Sequence, residues 1–449
     1  MTDLLLGIDV GTTACKAAVV DAAGAERSHG RAPTPWTDVP TGAEADPGAF
    51  LDAALAAAAA ALASAPEGRL RGIGVTSMAE SGVLLDGRGV PLAPLIAWHD
   101  ERGADEAHRL AGDLGEQRFV ETTGLPAGPL ASVAKLRWLV EHRPAVRAAR
   151  RWLNVAEWVV RGLGGDEVAE RSLASRTGLL DLHACAPFAD AIAWTGLRDD
   201  LLGEVVLAGA PAGTAGEALA GARGATLTVA GHDHLVAGVG AGVVAPGDVL
   251  DSCGTAEALV RVVAPPLGRE AIRRCVAGGV TVGWHVAEGR HALLGSAWSG
   301  LALQEVLDAL GVGADGRDAL DAGAIAVAPG EAPALGLDVH SLHRRPPRLP
   351  PGEAPERVWR AALDTVAGEV EAILSHIDAV AGPRRKVVVT GGWSRDEAVM
   401  ATKARLGAVE APPVVEAGAR GAALLAGVAA GLFESADALP AVAAPGARR

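Results

Sequence analysis

The residue types most able to do chemistry lie in a short turn near the start of the chain. Two aliphatic runs, residues 4–10 and 14–21, are joined by a turn that brings together a carboxylate, a glycine and two hydroxyls: Asp9, Gly11, Thr12 and Thr13. Backbone amides and hydroxyls can bind phosphate oxygens, and a carboxylate can bind Mg²⁺ directly or through water. The stretch alone is equally consistent with a phosphate-binding β-hairpin and with an edge hairpin that has a polar turn.

A second stretch repeats this order of residue types in the other half of the chain. Residues 249–263 contain two aliphatic runs, and the turn between them carries Asp251, Gly254 and Thr255. The repeat predicts two like-folded domains, each presenting one hairpin to the cleft between them, where ligands commonly bind. Two facing hairpins could hold one polyphosphate from both sides, which favours the phosphate interpretation of both turns.

A third candidate follows a short apolar strand, residues 227–230, in the sequence Gly231-His232-Asp233-His234. An Asp in such a glycine-containing turn can point into a cleft and accept a proton as a general base. Taken alone, an Asp in this position is better explained as the N-cap of a following helix. The flanking His232 and His234 could suggest a metal site, but the sequence indicates no third ligand.

Composition limits the classes of protein that these motifs could serve. The chain of 449 residues is too long for one hydrophobic core, which predicts two or three domains. Its 49% hydrophobic content, with 58 Gly and 27 Pro, is typical of a compact soluble α/β enzyme. The net charge of −14 argues against nucleic acid or an anionic membrane as the main partner. Local amides and Mg²⁺ would still allow an acidic protein to bind ATP.

The cysteines and the start of the chain exclude further classes. The four cysteines lack CxxC spacing, so neither a zinc site nor a disulfide framework is indicated for Cys15, Cys185, Cys253 and Cys275. The first residues lack the basic segment of a signal peptide, and the most apolar window, residues 53–63, is too short to span a bilayer. We therefore expect a cytosolic protein.

Strands that end in polar turns before helices recur along the chain, a pattern typical of an α/β sheet with its site at the strand ends. Aliphatic runs predict strands at residues 71–76, 83–85, 227–230 and 386–390. Apolar spacing predicts helices from Pro47 to residue 62, across residues 130–163 with a break at Pro144, after His234, and over residues 358–380. Residues 344–355, which are rich in Pro and Arg, predict a surface loop.

Taken together, the motifs resemble those of the FGGY carbohydrate kinases, a family within the actin-like ATPase superfamily. The resemblance rests on segments that occur in the family's order: residues 7–13, 73–102, 170–181, 231–233, 251–255, 391–396 and 416–423. Each segment is weak evidence by itself, whereas the ordered set is specific. The resemblance implies an α/β protein of two actin-like, ribonuclease H-like domains, residues 1–242 and 243–449, with a catalytic cleft between them.

The same resemblance implies transfer of the γ-phosphoryl group of ATP to a hydroxyl of a small sugar or polyol, with Asp233 as the general base. It assigns Asp9 to Mg²⁺. It assigns glycine, hydroxyl and lysine positions to the ATP phosphates, namely Gly11, Thr12, Thr13, Lys16, Gly254 and Thr255. Gly391, Gly392 and Asp396 are assigned to the adenosine, although an Asn is more usual in the family at Asp396. Lys16 lies in a strand, so an alternative is that it is only solvated.

The resemblance also implies a set of residues that line or support the acceptor site, namely Met78, Glu80, Trp98, Asp100, Arg102 and His234. Glu80 is the side chain expected to contact hydroxyls, and a structural ion pair is an equal alternative for Asp100 and Arg102. Glycerol kinases carry an Arg at the position of Ala79 and a Tyr at the position of Leu130, which disfavours glycerol. Xylulokinases carry Met-His where this chain has Met-Ala, so xylulose is not well supported.

Two alternatives to this function stay open. The first is a kinase of a sugar acid or another acceptor in the same fold, and the second is a non-catalytic, nucleotide-gated binding protein. The segment 329–355 is shortened relative to the family, so subunit contacts and one wall of the nucleotide site are not predicted. The expected partner is a small-molecule sugar or polyol, with a homodimer as a further option.

Overall fold

The computed structural model describes residues 2–328, 330–340 and 347–442. Within these ranges the chain forms a five-stranded sheet and a six-stranded sheet, together with smaller groups of two or three strands. Helices flank both large sheets. The predicted α/β class is therefore confirmed.

The strands, in chain order, are β1 (Asp3–Val10), β2 (Ala14–Asp21), β3 (Glu26–Pro33), β4 (Thr37–Val39), β5 (Gly42–Ala45), β6 (Arg69–Ser77), β7 (Gly82–Leu85), β8 (Leu95–Ile96), β9 (Arg151–Asn154), β10 (Val168–Glu170), β11 (Leu180–Asp181), β12 (Ala186–Pro187), β13 (Glu204–Val206), β14 (Thr226–His232), β15 (Asp248–Cys253), β16 (Glu257–Val263), β17 (Thr281–Trp284), β18 (His291–Ala297), β19 (Lys386–Thr390) and β20 (Val409–Glu410).

The α-helices are α1 (Pro47–Ala63), α2 (Ala104–Leu114), α3 (Glu116–Thr123), α4 (Ser132–His142), α5 (Val155–Gly162), α6 (Arg171–Ala174), α7 (Ala189–Thr195), α8 (Asp233–Gly240), α9 (Arg269–Ala277), α10 (Ser299–Leu310), α11 (Ala314–Ala326), α12 (Pro355–Ala381), α13 (Glu397–Lys403) and α14 (Ala417–Ala429). Short 3₁₀ turns occupy Pro144–Ala148, Gly392–Arg395, Ala404–Leu406 and Ala436–Ala438. Among the described residues, none of the helices combines the length and hydropathy that a membrane span requires.

The first large sheet has the strand order β14-β6-β1-β2-β3. β1 pairs antiparallel with β2 and parallel with β6, and this register sets Asp9 opposite Lys16. The turn after β1 and the residues after β6 and β14 therefore lie at the same edge of the sheet. This edge collects the polar residues that the sequence placed at strand ends.

The second large sheet, of order β17-β18-β16-β15-β19-β20, repeats the arrangement of the first. β15 pairs antiparallel with β16 and parallel with β19, as β1 does with β2 and β6. The two hairpins predicted from the repeated pattern are thus present, at equivalent places in their sheets. Aliphatic side chains buried on both faces of β15 and β16 explain why these runs form central strands.

The two sheets are connected by two helices that cross each other, α8 and α14. A Cβ atom built at Gly421 of α14 would lie 2.0 Å from the carbonyl oxygen of Val236 in α8, so only glycine allows this approach. α14 also packs on β1, β6 and β14 of the first sheet, although it follows the second sheet in the chain. The predicted division of the chain into domains 1–242 and 243–449 stays a prediction. By sequence α14 belongs to the second of these domains, but it packs on the sheet of the first.

One secondary-structure prediction is wrong in part. Residues 130–163 do not form helix throughout, because strand β9 lies between α4 and α5 and pairs antiparallel with β7. β9 is only four residues long and shows no alternation of buried and exposed residues, so its sequence does not stand out from the helical spacing around it. The break at Pro144 is confirmed, as are the helices from Pro47 and over 358–380. Of the predicted loop, residues 347–354 form neither helix nor strand, and 344–346 lie outside the described residues.

Candidate active site

The Asp9 carboxylate lies near the carboxyl end of β1, and one of its two oxygens accepts no hydrogen bond. Its Oδ1 is buried and has no hydrogen-bond partner among the described residues. Burial and the nearby Asp233 raise the pKa of Asp9 to about 7, against the opposing charge of Lys16. An acidic oxygen that is buried without a donor is a good ligand for a hard cation, which supplies the missing positive charge. The residue therefore fits the predicted Mg²⁺ role.

The tip of the first hairpin is held by two tryptophans. The Thr12 carbonyl accepts hydrogen bonds from Trp36 Nε1 at 2.8 Å and from Thr34 Oγ1 at 2.6 Å. The Thr12 hydroxyl accepts a bond from Trp98 Nε1 at 2.9 Å. Because the hydroxyl is an acceptor in that bond, its own proton stays available for a phosphate oxygen.

Lys16, which the sequence left between a phosphate ligand and a solvated residue, is ion-paired. Its Nζ lies 2.8 Å from Glu416 Oε2, and both side chains are partly exposed. Glu416 directly precedes α14, and the second residue of that helix, Gly418, approaches the Asp9 carboxylate. Contact of Lys16 with phosphate stays a prediction, and it would require Lys16 to share its charge with Glu416.

A buried ionic cluster joins Lys403 to both strands of the second hairpin. Lys403 Nζ lies 2.5 Å from Asp251 Oδ2 and also bonds the carboxylate of Glu257. Cys253 Sγ lies 3.1 Å from Asp251 Oδ1. Burial and Glu257 raise the pKa of Asp251 to about 7, and the two carboxylates keep Lys403 charged despite its burial by raising its pKa. The acids and the thiol could form a metal site, but the Lys403 ammonium already lies among them.

A contact between two tryptophans links the two hairpins. The rings of Trp98 and Trp298 are nearly parallel, at 10°, with centroids 6.2 Å apart, an offset arrangement that is favourable for aromatic pairs. Trp98 binds the Thr12 hydroxyl of the first hairpin. Trp298 directly precedes α10, where the Leu301 amide donates to the Thr255 carbonyl of the second hairpin at 2.9 Å. This arrangement supports the predicted clamp on a polyphosphate.

Asp233 is the first residue of α8, at the edge of the cleft. The N-cap is His232, whose side chain makes no capping bond, so the structure does not use Asp233 as the N-cap. Asp233 Oδ1 accepts a bond from the His234 amide at 2.7 Å. Its side chain is 21% exposed, and burial together with the nearby Glu80 raises its pKa to about 7, which the His234 amide opposes. A largely desolvated carboxylate with one open side fits the role of a base.

Two histidines flank Asp233. Burial lowers the pKa of His232 well below its ordinary value, and burial also lowers that of His234. His232 Nε2 lies 3.3 Å from Asp233 Oδ1, and its amide donates to Ser172 Oγ at 3.0 Å. The nitrogen and oxygen atoms of the His-Asp-His run lie within 4.8 Å of one another. The His232 ring is therefore a polar neighbour of the Asp233 carboxylate, and the contact of His234 with the acceptor stays a prediction.

Glu80 is held in a strained conformation next to this base. Its φ angle is 62°, in the left-handed region that non-glycine residues rarely adopt. Ser132 Oγ donates to its carbonyl at 3.1 Å, and Arg176 Nε donates to its Oε1 at 2.7 Å. Glu80 therefore reaches the cleft as half of an ion pair. The sequence motif contained Arg176, but nothing in the pattern pointed to its partner.

The predicted alternative for Asp100 and Arg102, a structural ion pair, matches their geometry. Arg102 Nε and Nη2 bind the two oxygens of Asp100 at 2.8 and 2.9 Å, and Nη1 binds Glu44 at 2.9 Å. Both residues are buried. Lys135, which sequence reasoning missed, donates to the carbonyls of Ala97 and Trp98 at 3.0 and 2.5 Å. These contacts fix the segment that carries Trp98.

Two further predicted residues lie away from open space. Met78 is 3% exposed and packs in the apolar core of the first sheet. Asp396 caps α13 by accepting a bond from the Val399 amide at 2.8 Å, and its other oxygen binds Arg317. The acceptor contact of Met78 and the adenosine contact of Asp396 stay predictions.

The other two residues assigned to adenosine, Gly391 and Gly392, are next to the second hairpin, and their contact with adenosine stays a prediction. Gly391 has a φ of 93°, and a Cβ atom there would lie 2.4 Å from the Cys253 carbonyl oxygen, so the position requires glycine. Gly392 begins a 3₁₀ turn whose second residue, Trp393, lies under the Arg317 guanidinium at 4.9 Å. The turn therefore connects the hairpin to the helices α11 and α13.

Comparison with known proteins gives consistent matches along the chain. The model of the FGGY family of carbohydrate kinases, N-terminal domain, matches residues 4–240, and the model of its C-terminal domain matches residues 321–430. A gluconokinase of Bacillus subtilis (strain 168) is 25% identical over 98% of this chain and 90% of that relative. A glycerol kinase of Bordetella parapertussis is 31% identical over 97% of this chain and 90% of that relative.

A solved structure shares the same architecture. The xylulose kinase of Rhodospirillum rubrum superposes with a TM-score of 0.83 at 25% identity, covering 95% of this chain and 92% of that one. These three proteins are all kinases, and their names give three different acceptors.

Proposed function

The chain belongs to the FGGY family of carbohydrate kinases, and from this premise we propose that it transfers the γ-phosphoryl group of ATP to a hydroxyl of a small, uncharged sugar or polyol. Its fold is the two-domain actin-like fold of that family. The observation that carries the proposal is the environment of Asp233, whose side chain is largely desolvated but partly open, and which lies close enough to Asp9 of the first hairpin to raise the pKa of Asp9.

In the proposed reaction, Asp233 accepts the proton of the acceptor hydroxyl as that oxygen attacks the γ-phosphorus. The Thr12 hydroxyl and the amides of both hairpin tips donate to phosphate oxygens and keep the chain of phosphates in line. Asp9 would hold Mg²⁺, which would neutralise charge on those oxygens. The stacked Trp98 and Trp298 rings would shield one side of the phosphates from water, which would limit hydrolysis of ATP.

The charges around the acceptor site favour an uncharged acceptor over a sugar acid. Among the described residues there, Arg102 is bound by two carboxylates, and Lys135 is buried against two carbonyls. Arg176 is paired with Glu80. A sugar-acid carboxylate would meet Asp233 and Glu80, and it would have to compete with the groups that already bind these three cations.

We expect ADP release to depend on an uncharged acceptor. A coupled assay across tetritols, pentitols, pentuloses, hexuloses and aldonates tests this, with aldonates expected to have kcat/KM values on the order of 10- to 100-fold below the best neutral acceptor. An aldonate as the best substrate would establish the sugar-acid alternative. ATP hydrolysis without transfer to any acceptor would favour the nucleotide-gated binding protein.

We expect Asp9→Ala to raise the Mg²⁺ concentration needed for half-maximal activity by about tenfold or more, because the variant loses a buried carboxylate oxygen that has no hydrogen-bond partner among the described residues. Titration of activity with MgCl₂ at saturating ATP measures the change. Asp3→Ala removes a carboxylate from the opposite end of the same strand and serves as the control. An unchanged Mg²⁺ titration in Asp9→Ala would exclude the assigned role.

A further inference from the structure

Arg176 joins the acceptor site to the second large sheet. Its Nε donates to Glu80 Oε1 at 2.7 Å, and its Nη1 donates to Thr281 Oγ1 at 2.6 Å. Thr281 is the first residue of β17, and its hydroxyl also donates to the Leu294 carbonyl at 3.2 Å. The Arg176 side chain is 13% exposed, so both bonds are largely protected from water.

The contact between this part of the chain and β17 is close and continuous. The Val282 amide donates to the Gly124 carbonyl at 2.9 Å, and the Trp284 amide donates to Ser175 Oγ at 3.0 Å. Ala174 and Val282 belong to the same buried apolar cluster. Arg176 therefore extends from a segment that is packed and hydrogen-bonded against β17, and this contact fixes the position of the guanidinium that binds Glu80.

The Glu80 side chain needs a partner that fixes its orientation. Its backbone is strained at a φ of 62°, and its charge is felt by Asp233 and His234, so it stands beside the proposed base. A free glutamate side chain would sample several rotamers and would add a negative charge next to Asp233. The Arg176 bond selects one orientation and neutralises that charge.

We propose that Arg176, anchored on Thr281 of the second sheet, is a positioning residue for acceptor recognition, which fixes the Glu80 carboxylate and makes the site selective for uncharged hydroxyl groups. The inference rests on the proposed function and deepens it. With Arg176 bound to Oε1, Glu80 keeps Oε2 for acceptor hydroxyls while the ion pair as a whole is neutral. Acceptor binding then depends on the Glu80–Arg176 pair, which Thr281 of β17 holds in place.

The test compares steady-state kinetics of the wild-type enzyme with three variants, using the best acceptor of the panel. Arg176→Met should lower kcat/KM for the acceptor on the order of 10- to 100-fold, as expected for a lost charge-assisted bond, with the KM for ATP unchanged. Thr281→Val removes only the bond to β17 and should cost about 3- to 10-fold. Arg176→Lys keeps the charge and should recover part of the loss.

A specificity readout separates positioning from general damage. In Arg176→Met the unpaired Glu80 should favour a cation, so kcat/KM for an aminodeoxy-alditol relative to its parent alditol should rise about tenfold. The matched control is Arg171→Met, because Arg171 also contacts β17, with its guanidinium 4.7 Å above the Trp284 ring, but does not bind Glu80. The same acceptor defect in Arg171→Met would overturn the inference.

The remaining outcomes are distinguishable. Wild-type acceptor kinetics in both Arg176→Met and Thr281→Val would overturn the inference alone. A wild-type enzyme without acceptor-dependent ADP release would overturn the proposed function and the inference with it. If Arg176→Met does not fold, an unchanged acceptor KM and kcat in Thr281→Val and Arg176→Lys would still contradict the proposal.

Discussion

Asp233→Asn should lower kcat by about 10²- to 10⁴-fold and leave the KM for ATP nearly unchanged. The substitution preserves the shape of the side chain but removes the only feature that a base requires, an ionisable oxygen at the edge of the cleft. The nucleotide should still bind, because the hairpins and the adenosine residues do not depend on Asp233. Initial rates at saturating acceptor, with ATP varied, measure both parameters.

The pH profile provides a second measurement of the same role. Burial raises the pKa of Asp233 to about 7, so the wild-type kcat should fall as the pH drops below that value, where the carboxylate becomes protonated, and should level off above it. This acid limb should be absent from the residual activity of Asp233→Asn. A carboxyl whose pKa is raised on folding destabilises the folded state at higher pH, so the neutral Asn should not lower the melting temperature at pH 8. Near-normal turnover in the variant would remove Asp233 as the base.

Lys403→Met should reduce the free energy of unfolding by about 3–5 kcal/mol. The ammonium group is 2% exposed and is bonded to both Asp251 and Glu257, so its removal leaves two buried carboxylates that repel each other. The hairpin tip begins at Gly254, three residues after Asp251, so we expect the KM for ATP to rise as well. Chemical denaturation at neutral pH and ATP titration of the folded variant measure the two effects.

A charge-matched variant distinguishes this mechanism from the loss of packing. Lys403→Met combined with Asp251→Asn and Glu257→Gln removes all three charges and should recover most of the stability. Lys386→Met serves as the control, because its partner Glu410 is 57% exposed and such pairs contribute less than about 1 kcal/mol. A Lys403→Met protein as stable as wild type, or a triple variant no better than the single one, would contradict the assigned role.

Local patterns in the sequence were sufficient to predict the hairpins and several helices, because their conformation depends on residues that are close in the chain. The two Gly-Thr hairpins follow from aliphatic runs joined by short polar turns, and these runs became central strands of two equivalent sheets. The helix after Asp233 and the helix after Pro47 follow in the same way from apolar spacing and end signals. The order of the motifs was sufficient to identify the family. Periodicity failed at β9, where a four-residue strand is defined by its partner β7.

Only the tertiary structure decided which side chains meet. Arg176 and Glu80 are 96 positions apart, and Lys403 and Asp251 are 152 apart, so no local spacing relates them. Trp298 lies outside every motif, yet its ring stacks on that of Trp98. Trp98 is bound to Thr12 of the first hairpin, and Trp298 follows β18, which pairs with β16 of the second hairpin. Asp396 fits a nucleotide motif by position but is bound as a helix cap and an ion pair. Charge pairing and burial depend on how the sheets and helices pack, and packing joins residues that the chain keeps far apart.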